Sequence, residues 1–134
     1  MAKTIFICAL LLTTLSSLVG LDSDFEKSKI RGQIVYTNHC ISCHLGQGQG
    51  MAGAFPPLAK SDYLVNSPAK GIRAIKYGLM GEIVVNGTKY DSMMPESGLT
   101  DAETADVMNY ILNAWGNKNL KMITEKTVSD TKSE

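Results

Sequence analysis

The sequence has few of the residues from which disulfide frameworks and zinc sites are built. Its 134 residues include three cysteines and two histidines, whereas a structural zinc ion needs four ligands, usually from two separated pairs. Only Cys40 and Cys43 form such a pair, and both His39 and His44 lie beside it. The sequence therefore disfavours zinc. A disulfide between Cys40 and Cys43 stays open as an alternative, but it would close a very short loop and stabilise little.

An excess of charge of one sign is also missing. Lysine and arginine together number 13, as do aspartate and glutamate, so the formal net charge at pH 7 is +0 with histidine neutral. Domains that bind nucleic acids usually carry a clear basic excess. We therefore expect no nucleic-acid partner.

The chain lacks an apolar run long enough for an ordinary membrane span. Ile5–Val19 is interrupted by threonine and serine, and a spanning helix needs about 20 mainly apolar residues. Lys3 precedes this run and small residues follow it, a pattern typical of a secretory signal peptide. We expect residues 1–20 to be a signal peptide cleaved after Gly20, with the mature chain exported to the periplasm. An uncleaved membrane anchor is the alternative.

The sequence does contain Cys40-Ile41-Ser42-Cys43-His44, the signature of covalent haem attachment. Two thiols three positions apart in a helical turn can reach one edge of a porphyrin, where each forms a thioether with a vinyl group. His44 then lies under the iron and can bind it. A thioredoxin-like redox pair would need a surrounding β-α-β pattern, which the sequence does not show. We predict one covalent haem c with its iron, attached through Cys40 and Cys43, with His44 as an axial ligand.

The remaining sequence predicts a small all-α fold of three to five helices around one haem, with a short β-hairpin insertion. Asn86-Gly87 between Ile83–Val85 and Thr88–Tyr90 is a strong hairpin signal. Thr100 with Glu103 forms a capping box that opens a helix. Gly32 interrupts the first helix, which indicates close approach of another element. The expected elements are helices over 24–38, 62–65, 68–79 and 101–114, strands over 83–85 and 88–90, a loop over 46–53, and a frayed helix or disordered tail over 118–134.

The sixth iron position needs a second ligand, for which methionine opposite histidine is a known arrangement. His39 is too near the attachment site to reach the opposite face easily, and Met108 falls on the apolar stripe of a helix, which favours core packing. We favour Met94, in a loop between the hairpin and the capped helix, because the chain from His44 to Met94 is long enough to wrap the haem. Met93 is the second choice. The other candidates are Met51, Met80 and Met122.

On these motifs the chain resembles a small class I cytochrome c. Gly32, Tyr36 and the attachment motif match the first helix of that family, and Met94-Pro95 resembles its methionine loop. Tyr110 resembles an aromatic residue of its last helix, which packs beside the glycine at a helix crossing.

Pro56 resembles the family's proline whose carbonyl oxygen accepts the N–H of the axial histidine. The resemblance therefore implies that the haem-binding residues are Cys40, Cys43, His44, Pro56 and Met94, of which His44 and Met94 bind the iron.

A more detailed resemblance spans roughly Gly48 to Asn117. This part is similar to bacterial cytochrome c subunits and domains that accompany copper nitrite reductases, membrane dehydrogenases and terminal oxidases. Glu96 departs from the pattern, because relatives often place a second proline or a small residue after Met-Pro. The segments that carry this resemblance are Ala54–Leu58, Val85–Gly87, Tyr90, Met94-Pro95 and Trp115–Asn117. It implies a cytochrome c domain over 21–117. The polar C-terminal tail over 118–134 follows from its composition and has no counterpart in the family.

The function implied is that of a periplasmic electron-transfer protein with His/Met-ligated haem c, and not of an enzyme. Its partners would be periplasmic or membrane redox enzymes that donate and accept electrons, with no small-molecule substrate. Two alternatives stay open. One is a haem enzyme or gas-binding protein with an open sixth position, and the other is an electron-relay subunit of a larger respiratory complex.

Overall fold

The structure is a computed structural model, and it describes residues 24–133. The predicted all-α fold with a short β-hairpin is confirmed, and the described part of the chain contains six helices where three to five were expected. The elements in chain order are α1 (residues 24–39), α2 (Ile41–His44), α3 (Asp62–Asn66), α4 (Pro68–Tyr77), β1 (Ile83–Val85), β2 (Thr88–Tyr90), α5 (Asp101–Ile111) and α6 (Glu125–Asp130). The signal peptide expected over 1–20 lies outside the described residues.

Helices α1 and α5 cross at Gly32. A Cβ atom at this position would overlap the carbonyl oxygen of Asp106 and press on Tyr110, so only glycine lets the two backbones approach so closely. An ion pair flanks the crossing, because Arg31 donates to both carboxylate oxygens of Asp106 over 2.6 and 2.7 Å. Ser28 donates to the same carboxylate over 2.6 Å. The close approach predicted from Gly32 is therefore confirmed.

The core lies where α3, α4 and α5 meet the C-terminal half of α1. Met108 is fully buried, as its place on an apolar stripe predicted. Gly71 of α4 allows close contact with α5, since an added Cβ would lie 3.0 Å from the terminal methyl carbon of Met108 on α5. The other buried members of this cluster are Tyr36, Leu64, Ile72, Ile75, Ala105, Val107, Ile111, Leu112, Ile123 and Val128.

Two helices end earlier than their sequences predicted. Helix α4 stops at Tyr77 because Gly78 takes a φ of 77°, a left-handed conformation that suits glycine. Helix α5 stops at Ile111 because the next turn tightens, with Asn113 N–H donating to the Tyr110 carbonyl, three residues back rather than four.

The hairpin forms around Asn86 and Gly87, as predicted. Both residues have positive φ, 51° and 77°, which a two-residue type I′ turn requires. Asn86 also exchanges two hydrogen bonds with Asp62 at the start of α3, of 3.0 and 2.7 Å. This link fixes the hairpin against α3, with Val85 and Tyr90 buried.

The segment after Asn117 differs from the frayed helix or disordered tail that its polar composition predicted. Ile123 and Val128 are buried in the main core, and Val128 belongs to α6, which forms directly after Ile123 and Thr124. The side-chain amide of Asn109, itself fully buried, donates to the Ile123 carbonyl over 2.8 Å and accepts from the Ile123 N–H over 2.7 Å. A side chain of α5 thus pairs with this segment as a neighbouring strand would.

Across residues 24–133, no helix is long and apolar enough to span a membrane.

Candidate haem site

The Cys-x-x-Cys-His turn forms the single helical turn α2. Cys40 caps it, and its carbonyl accepts hydrogen bonds from the N–H groups of Cys43, over 3.2 Å, and His44, over 3.0 Å. Both cysteines are free thiols and partly buried. Burial, reinforced by the nearby Cys43, raises the pKa of Cys40 to about 11, so its thiol is neutral at pH 7 in the folded polypeptide.

The His44 ring is oriented by the chain that follows it. His44 is buried, and its Nδ1 lies 3.0 Å from the carbonyl oxygen of Pro56. A carbonyl can only accept, so Nδ1 carries the proton and Nε2 presents a lone pair. Burial lowers the pKa of His44, and the Pro56 hydrogen bond partly opposes this shift. The ring is thus held neutral, the form in which histidine binds metals.

Glycine allows the loop to bring Pro56 to this position. Gly50 has a φ of 63°, and an added Cβ would lie 2.7 Å from the Pro56 carbonyl oxygen. The Gly50 N–H also donates to the His44 carbonyl over 3.1 Å. The loop predicted over 46–53 is therefore folded tightly against the attachment turn.

Two adjoining cavities lie beside His44. Cys40 borders the first and Cys43 the second. Five residues border both cavities, which makes them parts of one cleft, and these are His44, Pro56, Leu79, Ile83 and Met94. Aliphatic side chains complete the walls, including Leu58, Leu64, Ala74, Ile75, Val85, Val107 and Ile111.

Met94 is held at this cleft by backbone pairing. Leu79 N–H donates to the Met94 carbonyl over 2.8 Å, and Met94 N–H donates to the Leu79 carbonyl over 2.9 Å. Close by, Ser97 donates to the Ile75 carbonyl through its N–H, over 3.0 Å, and through its hydroxyl, over 2.9 Å. Gly78 fits closely beneath, because an added Cβ would lie 2.9 Å from the Met94 carbonyl oxygen. The methionine loop is therefore pinned to the end of α4.

The other candidate ligands are placed less favourably than Met94. Of the two cavities, Met93 borders the one beside Cys43 but not the one beside Cys40, and it is largely exposed. Met51 and Met80 are exposed, His39 is exposed on α1, and neither cavity is lined by Met108 or Met122. Within the described range, no group of three or more His, Cys, Asp or Glu side chains converges as a metal site would require.

The structure adds residues that the sequence did not single out for the site. Trp115 stacks at an angle on Tyr36, with ring centroids 4.9 Å apart, and on Tyr110, at 5.3 Å. An added Cβ at Gly48 would meet the Trp115 ring, so this aromatic cluster also supports the loop after the motif. Leu79 and Ser97 hold the Met94 loop in place. No local sequence pattern could have predicted this role, because their hydrogen-bond partners are distant in sequence.

The site fits a covalently attached haem. A porphyrin needs a cleft with apolar walls, two thiols at its edge and a neutral imidazole directed inward, and all three are present. A small helical protein that surrounds such a cleft with a Cys-x-x-Cys-His turn has the architecture of a c-type haem protein.

Comparison with known proteins agrees. The family model described as cytochrome c matches residues 30–115, and the chain belongs to the cytochrome c family. Haem c is the covalent cofactor of that family, so this chain binds haem c.

The curated relatives are of two kinds. Cytochrome c-552 of Thermus thermophilus is 39% identical over 99 residues, which cover 69% of this chain and 76% of that protein. The cytochrome c subunit of a quinone alcohol dehydrogenase from Gluconacetobacter polyoxogenes is 30% identical over 106 residues, 76% of this chain but 22% of that subunit. The cytochrome c subunit of gluconate 2-dehydrogenase from Pantoea cypripedii is 29% identical over 107 residues, 77% of this chain and 24% of that subunit. The dehydrogenase subunits thus match over a fraction of their length.

Proposed function

We propose that this protein is a one-electron carrier whose haem is attached through Cys40 and Cys43 and whose iron is bound by His44 and Met94. The observation that carries the proposal is that His44 and Met94 both border both parts of the apolar cleft. When bound, haem c supplies an iron that alternates between ferrous and ferric states.

His44 and Pro56 would set one side of the iron site. The Pro56 carbonyl, 3.0 Å from Nδ1, keeps the proton there and leaves Nε2 to the metal. A hydrogen bond of this kind also raises the basicity of a histidine ligand and fixes its ring orientation. The buried, neutral imidazole is therefore ready to bind without first losing a proton.

Met94 would close the other side. The reciprocal hydrogen bonds between Met94 and Leu79 fix its backbone, so a Met94–iron bond need not order a mobile loop. A thioether ligand raises the reduction potential relative to harder donors. If His44 and Met94 both bind the iron, the protein leaves no position for a substrate, which would favour electron transfer over catalysis or gas binding.

The apolar walls of the cleft would also raise the reduction potential of the haem. Ferric haem carries one more positive charge than ferrous haem, and charge is costly in a medium of low polarity. Leu64, Val107 and Ile111 line the cleft, so they would favour the ferrous form and raise the potential further.

We further infer that the chain works outside the cytoplasm and exchanges electrons with redox enzymes there. The signal-like segment over 1–20 supports export. The relatives named as cytochrome c subunits of quinone alcohol and gluconate dehydrogenases support a dehydrogenase as one electron donor.

The test replaces each methionine of the Met93-Met94 pair in turn. In the Met94→Ala holoprotein we expect a lower midpoint potential, loss of the methionine–iron charge-transfer band and rapid carbon monoxide binding to the reduced form. The measurements are a redox titration followed optically and carbon monoxide binding by stopped flow. Met93→Ala is the matched control, since it removes the neighbouring methionine, which is largely exposed. The Met93→Ala holoprotein should behave like the native one.

Two results would overturn the proposal. If Met93→Ala produces these effects and Met94→Ala does not, the ligand is Met93. If the native holoprotein lacks the band and binds carbon monoxide rapidly, the sixth position is open and the chain is a haem enzyme or a gas-binding protein.

A further inference from the structure

The surface beside Cys43 is formed by uncharged residues. The sequence from 38 to 59 contains no Asp, Glu, Lys or Arg, and neither does 92–95. Phe55, Met93 and Pro95 border the cavity that reaches Cys43. Met80 borders an adjoining surface cleft together with Met93 and Pro95. Met51 pairs with Phe55 through two backbone hydrogen bonds of 2.8 Å. We call these five residues, Met51, Phe55, Met80, Met93 and Pro95, the methionine face.

The three methionines of this face are unusually exposed for apolar residues. Met51 is 52% exposed, Met80 80% and Met93 67%, whereas Met108 in the core is fully buried. Single exposed apolar side chains are ordinary, but several together at the mouth of a cofactor cleft indicate an interaction surface.

Charged residues lie at the border of the methionine face or away from it. Glu96 borders the surface cleft, and Glu82 is paired with Lys89 on the hairpin over 3.0 Å. Asp91 is exposed two residues before Met93 in the sequence. Arg31 and Lys76 lie on helices away from this face and are paired with Asp106 and Asp101. The five residues of the face are therefore uncharged, and the nearest charged side chains lie at its border.

We propose that the methionine face is the docking surface for the redox partner, and that the partner presents an uncharged, apolar surface around its own cofactor. The inference rests on the proposed electron-transfer function. Interfaces are enriched in methionine and depleted of lysine, aspartate and glutamate. Flexible methionines adapt to differently shaped surfaces, which suits the small, short-lived contacts of electron carriers.

Electron self-exchange between two copies of the holoprotein tests this without a known partner. Each copy then presents the same uncharged face to the other, and the exchange rate follows from NMR line broadening in mixtures of oxidised and reduced protein. For the native holoprotein we expect the rate to change less than about twofold between low and high ionic strength, because charge steering is what makes such rates salt-dependent.

Two substitutions place charge on the face. Met51→Lys and Met80→Lys should each slow self-exchange about tenfold at low ionic strength, with recovery at high salt, because two like charges then meet at the contact. Leu120→Lys is the matched control. Leu120 is 95% exposed and borders neither cavity, so its substitution should leave the rate within about twofold of the native value. The midpoint potential and optical spectrum of each variant confirm an intact site.

Two outcomes overturn the inference. One is a native rate that depends steeply on salt, which would indicate docking through charges. The other is equal slowing by Leu120→Lys and by the two methionine variants, which would place the contact elsewhere. Both are separate from failure of the proposed function, since that failure would appear in the redox titration and in carbon monoxide binding of the native protein.

Discussion

Gly32 determines how closely α1 and α5 can pack. Because a Cβ there would overlap the Asp106 carbonyl oxygen and crowd Tyr110, we expect Gly32→Ala to force the helices apart. The cost should be about 1–3 kcal/mol, as for other overpacked sites, despite the higher helix propensity of alanine. Urea unfolding of the holoprotein, followed by circular dichroism, measures it.

Gly46→Ala is the control for this substitution. An added Cβ at Gly46 would meet only the Ile41 side chain, at 4.0 Å, so we expect a change within about 0.5 kcal/mol. Equal destabilisation by both substitutions would contradict the claim that the crossing itself is restricted.

Individual site residues differ in how far the sequence could predict their positions. The Cys40–His44 motif is local, so its single turn follows from five consecutive residues. The contact between His44 and Pro56 was implied by family resemblance, and the structure places the two groups 3.0 Å apart. Their assignment as haem-binding residues stays a prediction. The support of Met94 by Leu79 depends on a distant pairing that no local pattern encodes.

Among the elements, those whose boundaries are marked by a capping or turn motif in the sequence were predicted well. Helix α5 starts at the capping box of Thr100 and Glu103, which the structure contains in full, and the hairpin turns at Asn86 and Gly87. Thr100 also lowers the pKa of Glu103, because its backbone N–H and its hydroxyl both donate to that carboxylate. Such short-range contacts are readable from a few neighbouring residues.

The C-terminal segment was predicted poorly, for a physical reason. Its apolar residues are too sparse to form an amphipathic stripe, so composition indicated a polar tail. Ile123 is nevertheless buried, because Asn109 on α5 satisfies both of its backbone polar groups. A side chain fourteen residues away thereby makes burial of this strand-like piece favourable, since an unpaired buried backbone group would be costly.

Ile123→Ala tests whether this segment is part of the folded unit. If it packs as described, the substitution should destabilise the holoprotein by about 2–5 kcal/mol, the usual range for truncating a buried isoleucine to alanine. Guanidinium unfolding monitored by circular dichroism gives the change in free energy of unfolding.

Leu120→Ala provides the comparison within the same segment. Leu120 is almost fully exposed, so its loss should change stability by no more than about 0.5 kcal/mol. Similar small effects of both substitutions would mean that the segment after Asn117 is only loosely attached, as its composition predicted.

Across the whole molecule, the cofactor cleft and the hydrophobic core share their walls. Leu64, Ile75, Val107 and Ile111 belong to the buried core cluster and also line the cavity that Cys40 borders. A domain of this size has a modest core, and its central space is bounded by aliphatic side chains. The haem would therefore complete the core as well as carry the electron, so folding and cofactor attachment should be coupled.

Removing the haem tests this coupling. In the Cys40→Ser, Cys43→Ser double variant, produced without haem, the walls of the cleft lose their contact with an apolar disc and are exposed to water. We expect a lower urea midpoint, a broader transition and binding of the dye ANS, as for compact states with loosened packing. Serine is close to cysteine in size, although its hydroxyl is more polar than a thiol, so the change reports chiefly on the missing haem. A double variant that unfolds as cooperatively as the holoprotein, at the same midpoint, would show that the helices enclose a preformed cleft. In that case the core would be complete without the haem, and folding would not be coupled to cofactor attachment.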